Sequence, residues 1–195
     1  MKGCINSINP MAMDCGPGIR VLVDIEQKED GIELTPNEMV DRIRKFRPYF
    51  GPDNGGVTFT GKDLNKYIDF IIETCHICHK AGITTCIETE GLLSCDINNL
   101  LHDLDLVLLN INSIPMYNYS DYDIDILMNI SKFIDEVNIN KKEVWIRQEI
   151  NDKNNNEKYI EELKRYLNRI DNIGNIELIP NGVDSDTINK LKELL

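Results

Sequence analysis

Short apolar runs that alternate with amphipathic segments set the strongest limit on what this chain folds into. The run 104–110, Leu-Asp-Leu-Val-Leu-Leu-Asn, holds one charge among apolar residues, as expected for a strand that helices cover. Strand and helix signals alternate along the chain in six strand–helix pairs. The alternation predicts an α/β domain, either a doubly wound open sheet or a partial barrel, with a parallel sheet covered by helices.

The boundaries of these elements follow from apolar periodicity and from helix caps. Thr35, Pro36 and Glu38 form a capping-box pattern, which predicts a helix start. The predicted strands are 20–25, 56–59, 83–88, 104–111, 143–150 and 175–179. The predicted helices are 35–46, 63–80, 96–102, 121–137, 156–170 and 184–195.

The length and net charge of the chain limit the kinds of partner it can bind and the cell compartment expected for it. A chain of 195 residues is long enough for one buried core, so we expect a single domain over residues 1–195. The net charge of −12 disfavours a nucleic-acid backbone or an anionic membrane as partner. The sequence has no apolar run long enough to span a membrane, and its first residues lack the apolar run typical of a signal peptide. We therefore expect a cytoplasmic protein.

The six cysteines are expected to be free thiols, ligands or redox groups rather than a disulfide framework. Cys75, Cys78 and His79 share one face of a predicted helix, and thiolates with an imidazole suit zinc. Cysteines in such a helix are more often core residues, and a fourth ligand is not evident. The interpretation as a core segment is therefore preferred to a zinc site.

The stretch 55–63, Gly-Gly-Val-Thr-Phe-Thr-Gly-Lys-Asp, is a strand that closes into a glycine turn followed by a carboxylate. In α/β folds, ligands bind at the carboxyl ends of parallel strands. Glycine also lets backbone amides approach a ligand. The turn is therefore a candidate ligand site, although many strands end in glycine for steric reasons alone.

Several short sequence motifs together indicate a protein family. They are Cys15-Gly-Pro-Gly-Ile-Arg20, Arg47-Pro-Tyr-Phe50, Gly55-Gly-Val-Thr-Phe-Thr-Gly61, Asp105-Leu-Val-Leu-Leu109 and Trp145-Ile-Arg147. In these motifs and their order, the chain resembles the glycyl-radical-enzyme activating enzymes, in particular the pyruvate formate-lyase activating enzymes. The resemblance implies a radical S-adenosylmethionine fold, a single-domain partial (β/α)6 barrel, which agrees with the six repeats.

The chain differs from the family in the motif that binds the metal cluster. In the family a CxxxCxxC loop after the first strand holds a [4Fe-4S] cluster through three thiolates. Here no cysteine occurs between Cys15 and Cys75, and the strand continues into a short charged turn, Glu-Gln-Lys-Glu-Asp-Gly, at 26–31. We interpret this as a deletion of the cluster loop between residues 25 and 35. We accordingly expect neither a [4Fe-4S] cluster nor any other bound cofactor.

The resemblance also implies a set of positions for S-adenosylmethionine, which we interpret as a vestigial site. The family's Gly-Gly-Glu has become Gly61-Lys62-Asp63, so a lysine lies where the ligand's ammonium would bind. The family's Asp-Ile-Lys has become Asn110-Ile-Asn112. Binding of S-adenosylmethionine is expected to be weak. The vestigial positions are Thr60, Gly61, Lys62, Asp63, Glu88, Asn110, Asn112 and Arg147.

Three functions remain open from the sequence. The first is a cluster-free homologue with no catalytic residue, which binds a glycyl-radical enzyme, another protein or a small ligand at the barrel mouth. The second is a re-purposed, non-radical enzyme, with a divalent metal on strand-end acids. The third is a genuine activase whose cluster is held by Cys4, Cys15 and Cys75 or Cys78. In the non-radical enzyme, Arg147 would either bind an anion or pair with Glu88 or Glu90. The residues assigned to that enzyme are Asp63, Glu88, Glu90, Glu149 and Arg147.

Overall fold

The computed structural model of this chain describes residues 1–51, 55–112 and 121–195, with only the backbone of 121–123. The strands are β1 (Gly3–Ala12), β2 (Arg20–Ile25), β3 (Ile32–Leu34), β4 (Gly56–Thr60), β5 (Thr84–Thr89), β6 (Leu106–Asn110), β7 (Glu143–Ile150) and β8 (Ile173–Pro180). The helices are α1 (Pro36–Arg44), α2 (Ile68–Lys80), α3 (Ile97–His102), α4 (Asp121–Ile139), α5 (Glu157–Leu167) and α6 (Ser185–Glu193). Among the described residues, no helix has the length and apolar character needed to span a membrane.

The strands form one mixed sheet in the order β3-β1-β2-β4-β5-β6-β7-β8. The pairs β2–β4, β4–β5 and β7–β8 are parallel, whereas β1 is antiparallel to both β2 and β3. The α/β class and the six predicted strand–helix pairs are confirmed. The strands β1 and β3 were not predicted, and they add an antiparallel edge to the mostly parallel sheet.

The chain divides into two compact units, of which the first comprises Met1–Thr89 and Leu93–Leu108. Here α1 packs against α2, and α2 packs on β5. The capping box of α1 forms as predicted, because the Thr35 hydroxyl accepts from the Glu38 N–H and the Glu38 carboxylate accepts from the Thr35 N–H. The prediction was wrong about the start of α2, which begins at Ile68 rather than at Asp63.

The second unit comprises Glu90–Leu92 and Leu109–Leu195. In it β7 and β8 form a parallel pair, and α6 packs on β8. Helix α4 buries one face, formed by Ile130, Phe133, Ile134 and Val137. Asn156 and Asp184 cap α5 and α6 through their side chains, at the positions where the sequence predicted these helices to start.

Candidate functional site

The turn after β4 lies directly against the end of β2 in the first unit. Gly61 has φ +127°, and a methyl group at this position would lie 2.3 Å from the Ile25 carbonyl oxygen. Two residues later, the Asp63 N–H donates to the same oxygen at 3.1 Å. Only glycine satisfies both the backbone conformation and the close approach, so this contact explains why the turn has a glycine.

The polar groups of this turn are paired with the segment that follows β2. The Asp63 carboxylate accepts from the Gln27 N–H at 2.7 Å. The ammonium of Lys62 lies 3.4 Å from the Glu26 carboxylate, which also pairs with Lys28 at 2.8 Å. The hydrogen bond from Lys28, together with both lysine charges, lowers the pKa of Glu26. The chain itself therefore binds groups of the Gly61–Asp63 turn that the sequence assigned to a ligand.

Two other vestigial positions of the first unit, Thr60 and Glu88, lie at the ends of strands. Thr60 is the last residue of β4, is half-buried and lies opposite Asp24 in the parallel pair with β2. Glu88 is near the end of β5 and is also half-buried. Their positions follow from the predicted strand bounds, since a strand end places its residues at the edge of the sheet.

Arg20 is a buried arginine that joins three parts of the first unit. Its Nε donates to the Thr58 hydroxyl at 2.7 Å, and its Nη2 donates to the Val57 carbonyl at 2.8 Å. The Thr58 hydroxyl in turn donates to the Cys15 carbonyl at 2.6 Å. Burial lowers the pKa of Arg20. Side-chain hydrogen bonds thus hold the motif Cys15–Arg20 to β4, which indicates a structural role for this motif.

Arg147 lies in the second unit and pairs with Glu177. These residues are opposite one another on β7 and β8, and Arg147 Nε is 2.9 Å from Glu177 Oε2. Sequence reasoning named Glu88 and Glu90 as carboxylate partners and missed Glu177. The register of β7 and β8 places Glu177 beside Arg147, and that register is not readable from either strand alone.

Asn112 connects the ends of two strands in the second unit. Its Oδ1 accepts from the Glu149 N–H at 2.6 Å and from Gln148 Nε2 at 3.2 Å. Asn181, which follows β8, donates to the Glu149 carboxylate at 2.8 Å. Asn110, the last residue of β6, is half-buried in the same unit. Of the two amides that the resemblance gives as replacing charged family residues, Asn112 therefore hydrogen-bonds within its own unit.

Comparison with known proteins identifies the family. No protein-family model matches the chain. The pyruvate formate-lyase-activating enzyme of Clostridium pasteurianum is 30% identical over 199 residues, which cover 92% of this chain and 82% of that enzyme. The chain belongs to the pyruvate formate-lyase-activating enzyme family. A second family member, from Staphylococcus epidermidis, is 26% identical over 204 residues, with 92% of this chain and 81% of that protein covered.

Solved structures show the same fold. A domain of the pyruvate-formate lyase-activating enzyme from Bacteroides vulgatus matches with a TM-score of 0.58 and 20% identity, over 72% of this chain and 92% of that chain. QueE from Escherichia coli matches with a TM-score of 0.55 and 15% identity, over 99% of this chain and 89% of that chain. SuiB from Streptococcus suis, solved with S-adenosylmethionine, has a TM-score of 0.55 and 17% identity, over 82% of this chain and 38% of that chain. These matches confirm the predicted fold class, a partial barrel of the radical S-adenosylmethionine type.

The thiols of this family member do not fit the [4Fe-4S] cluster that the resemblance implies. A cluster needs three thiolates close together. Burial raises the pKa of the Cys15 thiol, raises that of Cys75 well above its usual value, and raises that of Cys78 to about 12. Within 1–51, 55–112 and 121–195, no group of three or more His, Cys, Asp or Glu side chains is placed to hold a metal ion. Neither the alternative cluster set with Cys4 nor the acids of the second hypothesis form such a group.

The zinc alternative meets the same difficulty. Cys75 and Cys78 are completely buried in α2, whereas His79 is exposed. A zinc ion would need the two thiolates and the imidazole to point at one position. The burial of both cysteines instead agrees with the preferred interpretation of this segment as core.

Proposed function

We propose that this chain is a family member that holds no [4Fe-4S] cluster, carries out no radical chemistry and acts by binding a protein. One observation carries the proposal: the Gln27 N–H donates to the Asp63 carboxylate at 2.7 Å, so the short segment after β2 lies on the turn that would receive a ligand. The curated relatives are named for activating pyruvate formate-lyase. The partner proposed here is therefore a glycyl-radical enzyme of that kind.

The thiol chemistry supports the loss of the cluster. A cluster needs three thiolates that converge on one position, and in the described part of the chain no three His, Cys, Asp or Glu side chains do so. The segment between β2 and α1, where the family would supply three thiolates, contains charged and polar residues and no cysteine.

The charges on the turn after β4 support weak binding of S-adenosylmethionine. The side chain of Lys62 is 84% exposed, and its ammonium lies near the Glu26 carboxylate. A methionine ammonium at this turn would meet that like charge, and it would compete with the Gln27 N–H for the Asp63 carboxylate. Both effects favour the apo turn over the liganded one.

Anaerobic reconstitution with iron and sulfide tests the loss of the cluster. The expected result is a colourless protein, whereas the enzyme from Clostridium pasteurianum, treated in parallel, is the positive control. Calorimetric titration with S-adenosylmethionine should give no measurable heat of binding. A stoichiometric cluster band at roughly 400 nm, or tight binding of S-adenosylmethionine, would overturn the proposal.

A binding measurement tests the protein partner directly. Calorimetry with a purified pyruvate formate-lyase should show a stoichiometric complex that forms without iron, sulfide or S-adenosylmethionine. The matched control is the same titration with the enzyme replaced by an acidic protein of similar size. Absence of a complex, or equal binding to both proteins, would remove this part of the proposal.

A genuine activase is the second candidate, because 30% identity over 92% of the chain is shared with a protein named as an activating enzyme. It predicts that the reconstituted chain generates a glycyl radical on pyruvate formate-lyase. Electron paramagnetic resonance of that mixture distinguishes the two candidates, since only the activase produces the radical signal.

A further inference from the structure

Five cations lie at the ends of two helices in the first unit. Arg42, Arg44, Lys45 and Arg47 occupy the end of α1 and the turn after it, and Lys80 is the last residue of α2. All five side chains are exposed. We call these five residues the basic rim. It contrasts with the chain as a whole, which carries 33 acidic and 21 basic side chains.

The packing of α1 on α2 brings the two parts of the basic rim to one surface. Arg44 is the last residue of α1, which packs against α2, and its charge lowers the pKa of the buried Cys78 thiol against the larger effect of burial. The guanidinium of Arg47 lies 3.7 Å from where a methyl group on Gly82 would be. Gly82 lies two residues beyond the end of α2, so Arg47 is close to the helix end that carries Lys80.

Carboxylates of this acidic chain neutralise the basic rim only in part. The hydrogen bonds of Thr35 and, to a smaller extent, the charges of Lys2 and Arg42 lower the pKa of Glu38. Over the described residues, its single ion pair is between Arg44 and Asp41, at 3.4 Å. By contrast Lys2, Lys28 and Lys62, in the same unit, each lie within 3.4 Å of a carboxylate. Cations in the last turn of a helix complement its dipole, but Lys45 and Arg47 lie beyond the last turn of α1. The dipole therefore leaves part of this cluster unexplained.

The side chains at the basic rim suit a protein partner. Guanidinium groups bind carboxylates with two parallel hydrogen bonds, and three of the five cations are arginines. Tyr49, in the turn that begins at Arg47, is 54% exposed, and arginine with tyrosine is the composition of protein–protein hot spots. A long nucleic acid would meet the net charge of −12 elsewhere on the molecule, whereas a short acidic segment would not.

We propose that the basic rim docks an acidic segment of the partner protein. This inference rests on the proposed function, because it assumes that the chain acts by binding a protein. It identifies the chemistry of the contact: glutamate and aspartate side chains on the arginines, and an apolar or aromatic neighbour on Tyr49.

Fluorescence anisotropy with a fluorescein-labelled Glu/Asp peptide tests the proposal on the full chain. The variant Arg42→Gln, Arg44→Gln, Arg47→Gln should bind the peptide about tenfold more weakly than the wild type. The control variant Arg165→Gln, Lys190→Gln, Lys192→Gln removes the same charge from exposed positions of the second unit, and it should bind within about twofold of the wild type. Tyr49→Ala, which keeps every charge, should weaken binding about threefold, and unchanged binding would remove Tyr49 from the proposed contact.

The outcomes separate this inference from the proposed function. An equal loss in both triple variants, or no peptide binding by the wild type, would overturn docking at the basic rim. Tighter binding of a single-stranded DNA oligonucleotide than of the peptide would overturn the choice of an acidic protein segment. A coloured reconstituted protein would overturn the proposed function and leave the peptide result unchanged, because the peptide assay contains no iron or sulfide.

Discussion

The backbone N–H of Gln27 donates a hydrogen bond of 2.7 Å to the carboxylate of Asp63. The two residues lie 36 positions apart, and their contact joins the segment after β2 to the turn after β4. In the proposed function this contact replaces a ligand with part of the chain. It makes the turn a structural element whose contribution to stability is measurable.

Removal of the Asp63 carboxylate should destabilise the protein modestly. Asp63→Ala leaves the Gln27 N–H with water as its partner, and we expect the free energy of unfolding to fall by about 1 kcal/mol. Urea denaturation followed by circular dichroism measures the change. Glu29→Ala, at an exposed position of the same segment, is the control, expected within about 0.5 kcal/mol of the wild type. Equal losses in both variants would contradict the role given to this hydrogen bond.

Gly61→Ala should be far more damaging than an alanine at a glycine in open space. At Gly61 a methyl group meets the Ile25 carbonyl at 2.3 Å, and φ is +127°, so we expect a loss of about 3 kcal/mol or more. Gly182 has φ +75° with no atom within 4 Å, so Gly182→Ala should lose only about 1 kcal/mol. Thermal or urea unfolding of the pair checks the difference. Similar losses would show that the turn can move away from β2.

The stability of the first unit should depend on pH through Asp103. Asp103 is 7% exposed, with its two carboxylate oxygens 2.8 Å from His76 Nδ1 and 3.1 Å from His102 Nδ1. Burial raises the pKa of Asp103, but the hydrogen bonds from both histidines outweigh it and hold the pKa below its usual value. A lowered pKa stabilises the fold above the unfolded-state value of about 3.9, and this stability is lost as the pH falls through the folded value.

The comparison of Asp103→Asn with the wild type measures this effect. In urea titrations from neutral pH downwards, the variant should be less stable above about pH 4, and the difference should shrink at lower pH. Asp125→Asn, at an exposed position on α4, is the control and should follow the wild type at every pH. A difference that stays constant with pH would contradict the ionised, histidine-bonded carboxylate.

The thiols should react with alkylating reagents at one position. Cys95 is half-buried and the other five cysteines are buried; desolvation raises the pKa of Cys95 to about 11. At about pH 8, iodoacetamide should label Cys95 slowly, with a rate that rises about tenfold per pH unit below the pKa. Mass spectrometry of the native protein measures this, and Cys95→Ser should abolish the labelling. Rapid modification of Cys15 or Cys75 would show that these thiols are accessible thiolates and would weaken the argument against a cluster.

Sequence reasoning succeeded where the decisive contacts are local. The capping box of Thr35 and Glu38 lies within four residues, and the predicted bounds of β2 and β7 equal those of the structure. It failed for β1 and β3, because Pro10 and a weak apolar alternation conceal the first and the second has only three residues. It also started α2 too early, since the Asp63 N–H donates to the carbonyl of Ile25 on another strand.

The sequence by itself determined the family, the six strand–helix repeats and the absence of a thiol between Cys15 and Cys75, because these depend on residue identity and periodicity. Only the tertiary structure decided that Asp63 binds Gln27, that Arg147 faces Glu177, and that Arg47 lies near Gly82, just beyond α2. The physical reason is that each of these contacts joins residues far apart in the chain. Their geometry is set by strand register and helix packing, which no local pattern encodes.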